Sequence, residues 1–179
     1  MANVNAPFGF RPTMRTFSGA GGTVRPCHKL VGDGTALFIN DAVQPAANGT
    51  KPTQCVKAAA STNCPVAGVN LIYGALSTAT DHAMVVASGG LFITQGDGTG
   101  ATYLIATQMN MNAEAAYTAG NAGTKISQHE LSETSLLGTA ALTLRVHGLY
   151  QAPDNAFGQY ARVFVSFNNL ADSDQKAGI

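Results

Sequence analysis

Short runs of apolar and β-branched residues recur along most of the chain and are separated by turn-forming residues. This spacing is typical of a β-barrel or β-sandwich built from short strands. The strands predicted in this way are 35–39, 54–57, 66–72, 84–87, 91–94, 102–106, 141–146 and 162–167. The expected fold class is therefore mainly β, as a single compact barrel or sandwich. The pattern leaves open whether the topology is jelly-roll, tulip-like or another arrangement, because strand pairing cannot be read from one sequence.

Two of these segments show the clearest alternation. Leu142, Leu144 and Val146 alternate with polar residues, and 163–167 carries apolar residues at every second position. Alternation of this kind places the apolar side chains on one face of a strand. The intervening segment 150–160 contains Pro, Asp, Asn and Gly residues that favour turns. The sequence therefore predicts an antiparallel hairpin with a long, exposed loop.

Glycine and aspartate mark further turns. Asp-Gly pairs within 32–35 and 96–99 each lie beside an apolar run and indicate hairpin turns. Segments that favour a helix are scarce, because only 109–117 has suitable residues and glycines follow it at 120 and 123. Segment 107–139 is poor in β-branched apolar runs, so we expect a long surface excursion there.

The first 32 residues differ from the rest of the chain in charge. They contain four basic residues and no acidic residue, whereas 33–179 contains six basic and ten acidic residues. Three prolines and a glycine-rich stretch at 19–22 exclude a continuous helix. We therefore divide the chain into an extended, basic and apolar N-terminal arm, 1–32, and a β body, 33–179, that includes the excursion.

The arm is expected to dock on another surface. Ordering a chain costs about 1 to 2 kcal/mol per residue, and burying each Phe or Met returns roughly 1.5 to 3 kcal/mol, so the isolated arm should be mobile and a partner should order it. The residues predicted to bind the partner are Phe8, Phe10, Arg11, Arg15, Phe17 and Arg25. The alternative is that the arm folds back on its own domain as an edge strand.

Composition favours a protein that associates with others. Charged residues make up 11% of the chain and the formal net charge is zero, which promotes association. The N-terminus lacks the basic and apolar regions of a secretory signal, and no apolar run approaches the roughly 20 residues of a membrane span. We therefore expect synthesis in a cytoplasm and no membrane partner.

Sequence motifs for catalysis or metal binding are missing. The chain lacks a G-x-S-x-G elbow, a P-loop and an H-E-x-x-H motif, and Ala101 stands where a dinucleotide fingerprint starting at 96 needs its third glycine. Cys27, Cys55 and Cys64 form no C-x-x-C pair, so we expect reduced, mostly buried thiols rather than a disulfide framework or a zinc site.

The remaining reactive side chains are scattered. Asp97, Glu130 and Asp154 could supply an acid and base pair, but nothing in the sequence brings two of them together, and His147 falls on the polar face of its predicted strand. Four cations in one arm are too few to indicate a nucleic-acid interface. The sequence therefore predicts no catalytic residues, no cofactor, no metal and no nucleic-acid partner.

Several segments together resemble a known family. They are Asn-Ala-Pro-Phe-Gly-Phe-Arg-Pro at 5–12, the glycine-rich 18–22, the run 36–43, Val-Ala-Gly-Val at 66–69, and the C-terminal segments 144–149, 153–158 and 161–165. The sequence resembles the head decoration proteins of tailed bacteriophages, also called capsid cement proteins. The resemblance covers most of the chain and is weakest at 107–139. One departure is Asn40-Asp41 where the family tends to have Gly-Asp two residues before Val43, which alters a turn.

The resemblance implies a non-enzymatic structural virion protein, made in the bacterial host cytoplasm and carried on the outer surface of an icosahedral capsid. Its expected partners are the phage major capsid protein and further copies of itself in a homotrimer. The alternative function is a carbohydrate- or host-surface-binding module of the phage particle that uses the loop 150–160. A hydrolase using Asp97, Glu130 or Asp154 is a third hypothesis.

Overall fold

A computed structural model describes residues 3–13, 23–30, 33–47, 54–58, 66–74, 83–99 and 103–171, with only the backbone at 83–86. The fold of these residues is mainly β, as predicted. The strands are β1 (Arg11–Pro12), β2 (Thr23–Lys29), β3 (Ala42–Pro45), β4 (Gln54–Lys57), β5 (Gly68–Asn70), β6 (Ala83–Ser88), β7 (Phe92–Gln95), β8 (Asn112–Ala113), β9 (Ala115–Ala116), β10 (Glu130–Leu131), β11 (Leu144–Leu149) and β12 (Arg162–Phe167). Two short 3₁₀ turns lie at Ala106–Gln108 and Glu133–Ser135.

Five strands close into a barrel in the order β2-β4-β3-β5-β6. Neighbouring strands are antiparallel except β2 and β4, which run parallel. A separate cluster of buried residues belongs to these strands and the segment before β3, and consists of Cys27, Leu37, Val43, Cys55 and Ala67. Its side chains are mostly small, because a barrel of few strands has a narrow interior. Closure also leaves these strands without a free hydrogen-bonding edge.

The other five-stranded sheet is open, with antiparallel neighbours in the order β1-β7-β12-β11-β8. The predicted hairpin is confirmed as β11 and β12, which pair with Leu144 opposite Phe167. The register shifts between Val146 and Gly148, so His147 forms a bulge. The long connection between the two strands carries the exposed loop that the sequence predicted.

One apolar cluster joins the inner face of the open sheet to the barrel. It contains Val69 of β5 together with Phe92 of β7 and Phe167 of β12. The Phe167 ring packs against those of Phe10 and Phe92, with centroids 5.3 and 5.0 Å away. The sheet and the barrel therefore share a core, which agrees with the predicted single compact body.

The N-terminal segment does not form a separate arm in its described parts, which corrects the prediction for 1–32. Strand β1 pairs with β7 at the edge of the open sheet, and β2 is a barrel strand paired with β4 and β6. Phe10 is fully buried. Strand pairing and a buried aromatic side chain offset the ordering cost that the sequence argument assigned to an isolated arm. For β1, the alternative of an edge strand on its own domain is the correct one.

Gly9 shows how the chain enters β1. Its φ is +74°, and a Cβ at this position would lie 2.5 Å from the carbonyl oxygen of Asn40 and 2.5 Å from the Cβ of Ser127. The N–H of Phe10 donates to the Asn40 carbonyl at 3.0 Å, and the Asn40 side-chain amide donates to the Phe8 carbonyl at 2.9 Å. Glycine is needed here because backbone and side chain occupy the space of a Cβ.

Segment 107–139, which was predicted as a surface excursion, is exposed at 121–125 but contributes to the core elsewhere. It contains β8, β9 and β10, and Ala113, Ala115 and Leu131 belong to the shared core. The strands are two residues long, so an alternating pattern never develops over enough positions to be recognised.

Six of the eight predicted strands overlap strands of the structure, and those at 54–57 and 162–167 have the predicted bounds. The other two predictions were wrong. Segment 35–39 makes only isolated bridges at Leu37 and Ile39, and in the described part of 102–106 a single bridge joins Leu104 to Gly158.

Candidate docking surface

The outer face of the open sheet is cationic. Strands β1, β7, β12 and β11 contain three arginines, Arg11, Arg162 and Arg145, and no acidic residue. Arg162 donates to Asp154 of the loop at 2.6 Å, and this hydrogen bond lowers the pKa of the exposed Asp154 carboxyl. These strands and their connecting loop therefore carry three guanidinium groups and one carboxylate, that of Asp154.

A groove of about 450 Å³ lies on this face and is lined by Arg11, Pro12, Thr13, Ile93, Tyr150, Gln151 and Phe164. Strand register places Arg11, Ile93, Phe164 and Gly148 next to one another in a row across four strands. The Tyr150 ring packs edge-on against Phe164 at 5.5 Å. A Cβ at Gly148 would meet nothing within 4 Å, so the row ends in open space.

A second cavity, of about 230 Å³, continues from the groove towards the N-terminus. It is lined by Val4, Ala6, Phe8, Arg11, Gln95, Asp154 and Arg162. Arg11 borders both cavities, and its guanidinium carbon lies 5.4 Å from the centre of the Phe8 ring. The two cavities therefore form one continuous surface with Arg11 between them.

The loop between β11 and β12 has a firm base. The side-chain amide of Asn155 donates to the carbonyl oxygens of Tyr150 and Arg162 at 2.7 and 2.8 Å, and its oxygen accepts from the N–H of Arg162 at 2.8 Å. These three bonds replace part of a strand ladder where the hairpin opens. The side chains of the loop are therefore presented in fixed positions.

An exposed apolar patch lies at the tip of this loop. The side-chain amide of Asn3 donates to the carbonyl oxygens of Ala156 and Gln159 at 2.9 and 2.8 Å, and Leu104 forms a bridge with Gly158. These contacts place segments 3–4, 103–105 and 156–159 side by side, and four exposed residues lie on them, Val4, Tyr103, Ile105 and Phe157. We call this set the apolar end.

Three carboxylates support the segments that carry the apolar end. Burial raises the pKa of Glu133 to about 7, and the charges of Asp97 and Glu130 add to that rise, whereas hydrogen bonds from the backbone of Leu104 and Gly98 act against it. Burial and Asp97 also raise the pKa of Glu130 to about 7. The fold therefore brings Asp97 and Glu130 together, which no sequence pattern predicted, and adds Glu133.

Glu133 holds structure rather than a substrate. Its side chain is 2% exposed, and a Cβ at Gly96 would lie 2.1 Å from its Oε1 atom. The backbone groups of Gly98 and Leu104 that affect its pKa belong to the two segments beneath the apolar end. Asp154, the third candidate carboxylate, pairs with Arg162 instead.

Ser127, His129 and Asp41 form a second buried polar cluster, and all three are fully buried. Nδ1 of His129 accepts from the N–H of Ala42 at 3.2 Å, so the ring proton is on Nε2, which lies 3.3 Å from Oδ1 of Asp41. Burial lowers the pKa of His129 to about 3 and raises that of Asp41. The imidazole is thus neutral and committed to backbone and carboxylate, so this cluster joins segments of the fold and is not arranged to activate a serine.

The structure places the predicted docking residues in different environments. Phe10 is buried in the shared core, so its prediction as a partner-binding residue was wrong. Phe8 and Arg11 border the cavities. Arg25 is half-buried on β2 and donates to the Ala67 carbonyl at 3.3 Å, on the barrel rather than on the docking face. Arg15 and Phe17 lie outside the described residues.

Sequence reasoning missed most of the apolar end and Glu133. Tyr103, Leu104 and Ile105 are consecutive apolar residues, and only the structure shows that the middle one is buried and its neighbours are exposed. The loop residues Tyr150 and Phe157 were within the segment assigned to the alternative binding module.

The cysteines of the described residues are reduced, and these residues hold no metal site. Cys27 and Cys55 are buried and unbridged, as predicted, and burial together with neighbouring Cys27 raises the pKa of Cys55 to about 12. Cys64 lies outside the described residues. Within the described ranges, no three His, Cys, Asp or Glu side chains are grouped to hold a metal ion, and no helix has the length and apolar character to cross a membrane.

No protein family model and no curated protein matches this chain.

Proposed function

We propose that this protein is a structural virion component that decorates and stabilises an icosahedral phage capsid by bridging major capsid protein subunits. The sequence resemblance supports the phage setting. The observation that carries a docking role is the apolar end: four of the seven large apolar residues that are exposed in the described part of the chain gather there.

The surroundings of the apolar end suit a protein interface. Hydrogen bonds from Asn3 and the bridge at Leu104 fix its segments. The exposure of its apolar side chains is therefore a property of the folded protein. Fixed apolar patches next to polar surface are typical of interaction sites, and interface cores are enriched in aromatic residues and arginine. The adjoining outer face supplies both, in Tyr150, Phe164 and Arg11.

Binding to an assembled shell would stabilise it by mass action, because a ligand that prefers the assembled state shifts the equilibrium towards it. A homotrimer, as the resemblance implies, would present three such surfaces to the shell at once. Simultaneous engagement raises the overall affinity well above that of a single contact.

The test is sedimentation with purified phage shells that lack the decoration protein. Wild type should sediment with the shells in stoichiometric amount and raise their resistance to heat. The double variant Ile105→Ser, Phe157→Ser should lose shell binding, whereas Val24→Ser, at a barrel residue that is 63% exposed, should retain it. A wild-type protein that ignores the shells, or equal binding by both variants, would contradict the proposal.

Point substitutions are preferable to removal of the N-terminal segment. Deleting residues 2–17 would take Phe10 out of the shared core, so a loss of binding could reflect a loss of folding. Circular dichroism and light scattering of each variant check that the fold and the oligomeric state are preserved.

A second candidate is a carbohydrate-binding module at the base of the loop. Its supporting observation is that Tyr150 and Gln151, an aromatic ring and an amide, line the same groove. A glycan array in which wild type binds and Tyr150→Ala does not would support it. A glycan array without hits, together with shell binding by wild type, would contradict this second candidate.

A further inference from the structure

We infer that the groove on the outer face binds a short, extended, acidic segment of the capsid subunit. The identity of the partner rests on the proposed function. The chemistry of the segment rests on the groove itself, which combines a cationic rim with an apolar floor. The inference therefore assigns a second contact to the docking surface, separate from the apolar end.

The charge of the groove favours an acidic occupant. Arg11 stands on its rim, and its side chain is exposed and contacts the Phe8 ring. An exposed guanidinium can form two parallel hydrogen bonds with a carboxylate. Asp154, the one acidic side chain of the adjoining loop, is already paired with Arg162.

Three residues that line the groove, Arg11, Ile93 and Phe164, continue into the adjoining Gly148 as a row that sets the size of the occupant. The row crosses four strands, and strands lie about 4.8 Å apart, which gives a length of about 14 Å. An extended chain rises about 3.3 Å per residue, so about four residues would fill the row. A carboxylate at Arg11 would therefore leave an apolar side chain over Ile93 and Phe164, and backbone over the open space at Gly148.

A polyanion such as a nucleic acid fits this surface less well. The exposed Asp154 carboxylate lies beside Arg162 and would repel a chain of phosphates, and the floor of Ile93 and Phe164 offers no hydrogen-bond donor. A peptide with one or two carboxylates and an apolar residue matches the row instead.

The direct test is an NMR titration of the full chain with a blocked five-residue peptide of alternating glutamate and phenylalanine. The control peptide has glutamine in place of glutamate. The amide signals of Ile93, Gly148 and Phe164 should shift on addition of the acidic peptide, and it should bind at least about fivefold more tightly than the control. Equal binding of the two peptides, or shifts confined to other residues, would overturn the inference.

Two variants with matched controls extend the test to the shell. Gly148→Leu fills the open end of the row, and Gly34→Leu places the same side chain at another glycine whose Cβ would meet nothing within 4 Å. Arg11→Gln removes the rim charge, and Lys125→Gln removes an exposed charge that contacts Tyr73 instead. Gly148→Leu and Arg11→Gln should each weaken peptide binding by about threefold to tenfold, and both controls should leave it unchanged.

The two readouts separate the inference from the proposed function. Peptide binding in the groove without shell binding by wild type would sustain the groove's chemistry and reject the capsid role. Shell binding that is unaffected by both Gly148→Leu and Arg11→Gln would sustain the capsid role and reject the groove as its contact. A glycan that shifts the same amides while the acidic peptide does not would also reject an acidic occupant.

Discussion

The barrel and the open sheet bury the side chains of their short strands in different ways. The barrel closes on itself and encloses a cluster of mostly small residues such as Cys27, Cys55 and Ala67. The open sheet instead buries one face with large side chains, among them Phe92 and Phe167, and its other face is partly covered by the N-terminal segment at Gln95 and partly open to solvent. The two cavities and the apolar end lie on the open sheet and its loop.

The N-terminal segment contributes to the contact between the barrel and the open sheet. Phe10 comes from the N-terminal segment and fills space beside Phe167, while Gly9 lets the backbone approach Asn40 and Ser127. Segments distant in sequence thus meet at this point. Substitutions there should affect the whole fold, whereas changes on the outer face should affect binding alone.

The largest effect is expected from Phe10→Ala. This side chain is fully buried in the shared core, so its removal should lower the free energy of unfolding by about 3 to 5 kcal/mol. The matched control is Phe8→Ala, two residues away and half-buried, with an expected loss of about 1 kcal/mol. Urea denaturation measures both. Equal losses would mean that the N-terminal segment does not join the sheet to the barrel.

A smaller loss is expected from Gly9→Ala. A left-handed backbone costs a residue with a Cβ roughly 1 to 2 kcal/mol, and the clashes with Asn40 and Ser127 add to it, so the loss should be about 2 kcal/mol or more. Gly148→Ala is the matched control, because its Cβ enters open space on a strand and should change stability by less than about 1 kcal/mol. Thermal and urea unfolding should rank the two variants in this order, and the reverse ranking would contradict the described approach of Gly9.

The smallest effect concerns pH. Burial raises the pKa of Glu133 from 4.5 in the unfolded chain to about 7 in the fold, so folding favours its neutral form. This contribution to stability is fully present below pH 4.5 and is lost as the pH rises through 7. The contribution of Glu133 to the free energy of unfolding should therefore decrease between pH 5 and pH 8, by on the order of 1 kcal/mol. His129, whose pKa burial lowers to about 3, contributes a change of opposite sign over the same range, so the Glu133 contribution is measured as a difference between wild type and a variant.

Glu133→Gln should remove this contribution, because the amide carries no charge at either pH. The free energy of unfolding of wild type relative to Glu133→Gln should therefore fall as the pH rises from 5 to 8, while Glu130 and His129 titrate in both proteins. Asp154→Asn serves as the control, since pairing with Arg162 lowers the pKa of the exposed Asp154 carboxyl from 3.8 and places its titration below the window. The measurement is urea unfolding at pH 5, 6, 7 and 8. A slope that Glu133→Gln leaves unchanged would show that this carboxyl does not govern the segments beneath the apolar end.

Sequence patterns located the elements with sustained alternation. Strand β12 was predicted with its observed bounds, and its partner β11 and the loop between them were also found. These strands have one face in the core and one towards solvent. Apolar and polar residues therefore alternate along them, and this alternation can be recognised in the sequence. The pattern failed at 107–139, where β8, β9 and β10 are too short to repeat it.

The candidate site was less visible in the sequence. Arg11 and Phe8 were predicted as partner-binding residues, and the structure places both at the cavities. Their neighbour Phe10 precedes β1 and is buried instead, with its ring packed against that of Phe167. Ile105 and Phe157 lie more than 50 positions apart, so no local pattern relates them.

The sequence by itself determined that this chain forms a mainly β fold with reduced, buried thiols at Cys27 and Cys55, because burial and alternation are local properties of each strand. Tertiary structure alone decided which strands close into a barrel and that the N-terminal segment packs on its own body. It also brought Glu133 beside Asp97 and gathered the apolar end. Each of these features depends on contacts between segments that are distant in sequence. Local patterns in one segment do not report the energies of such contacts.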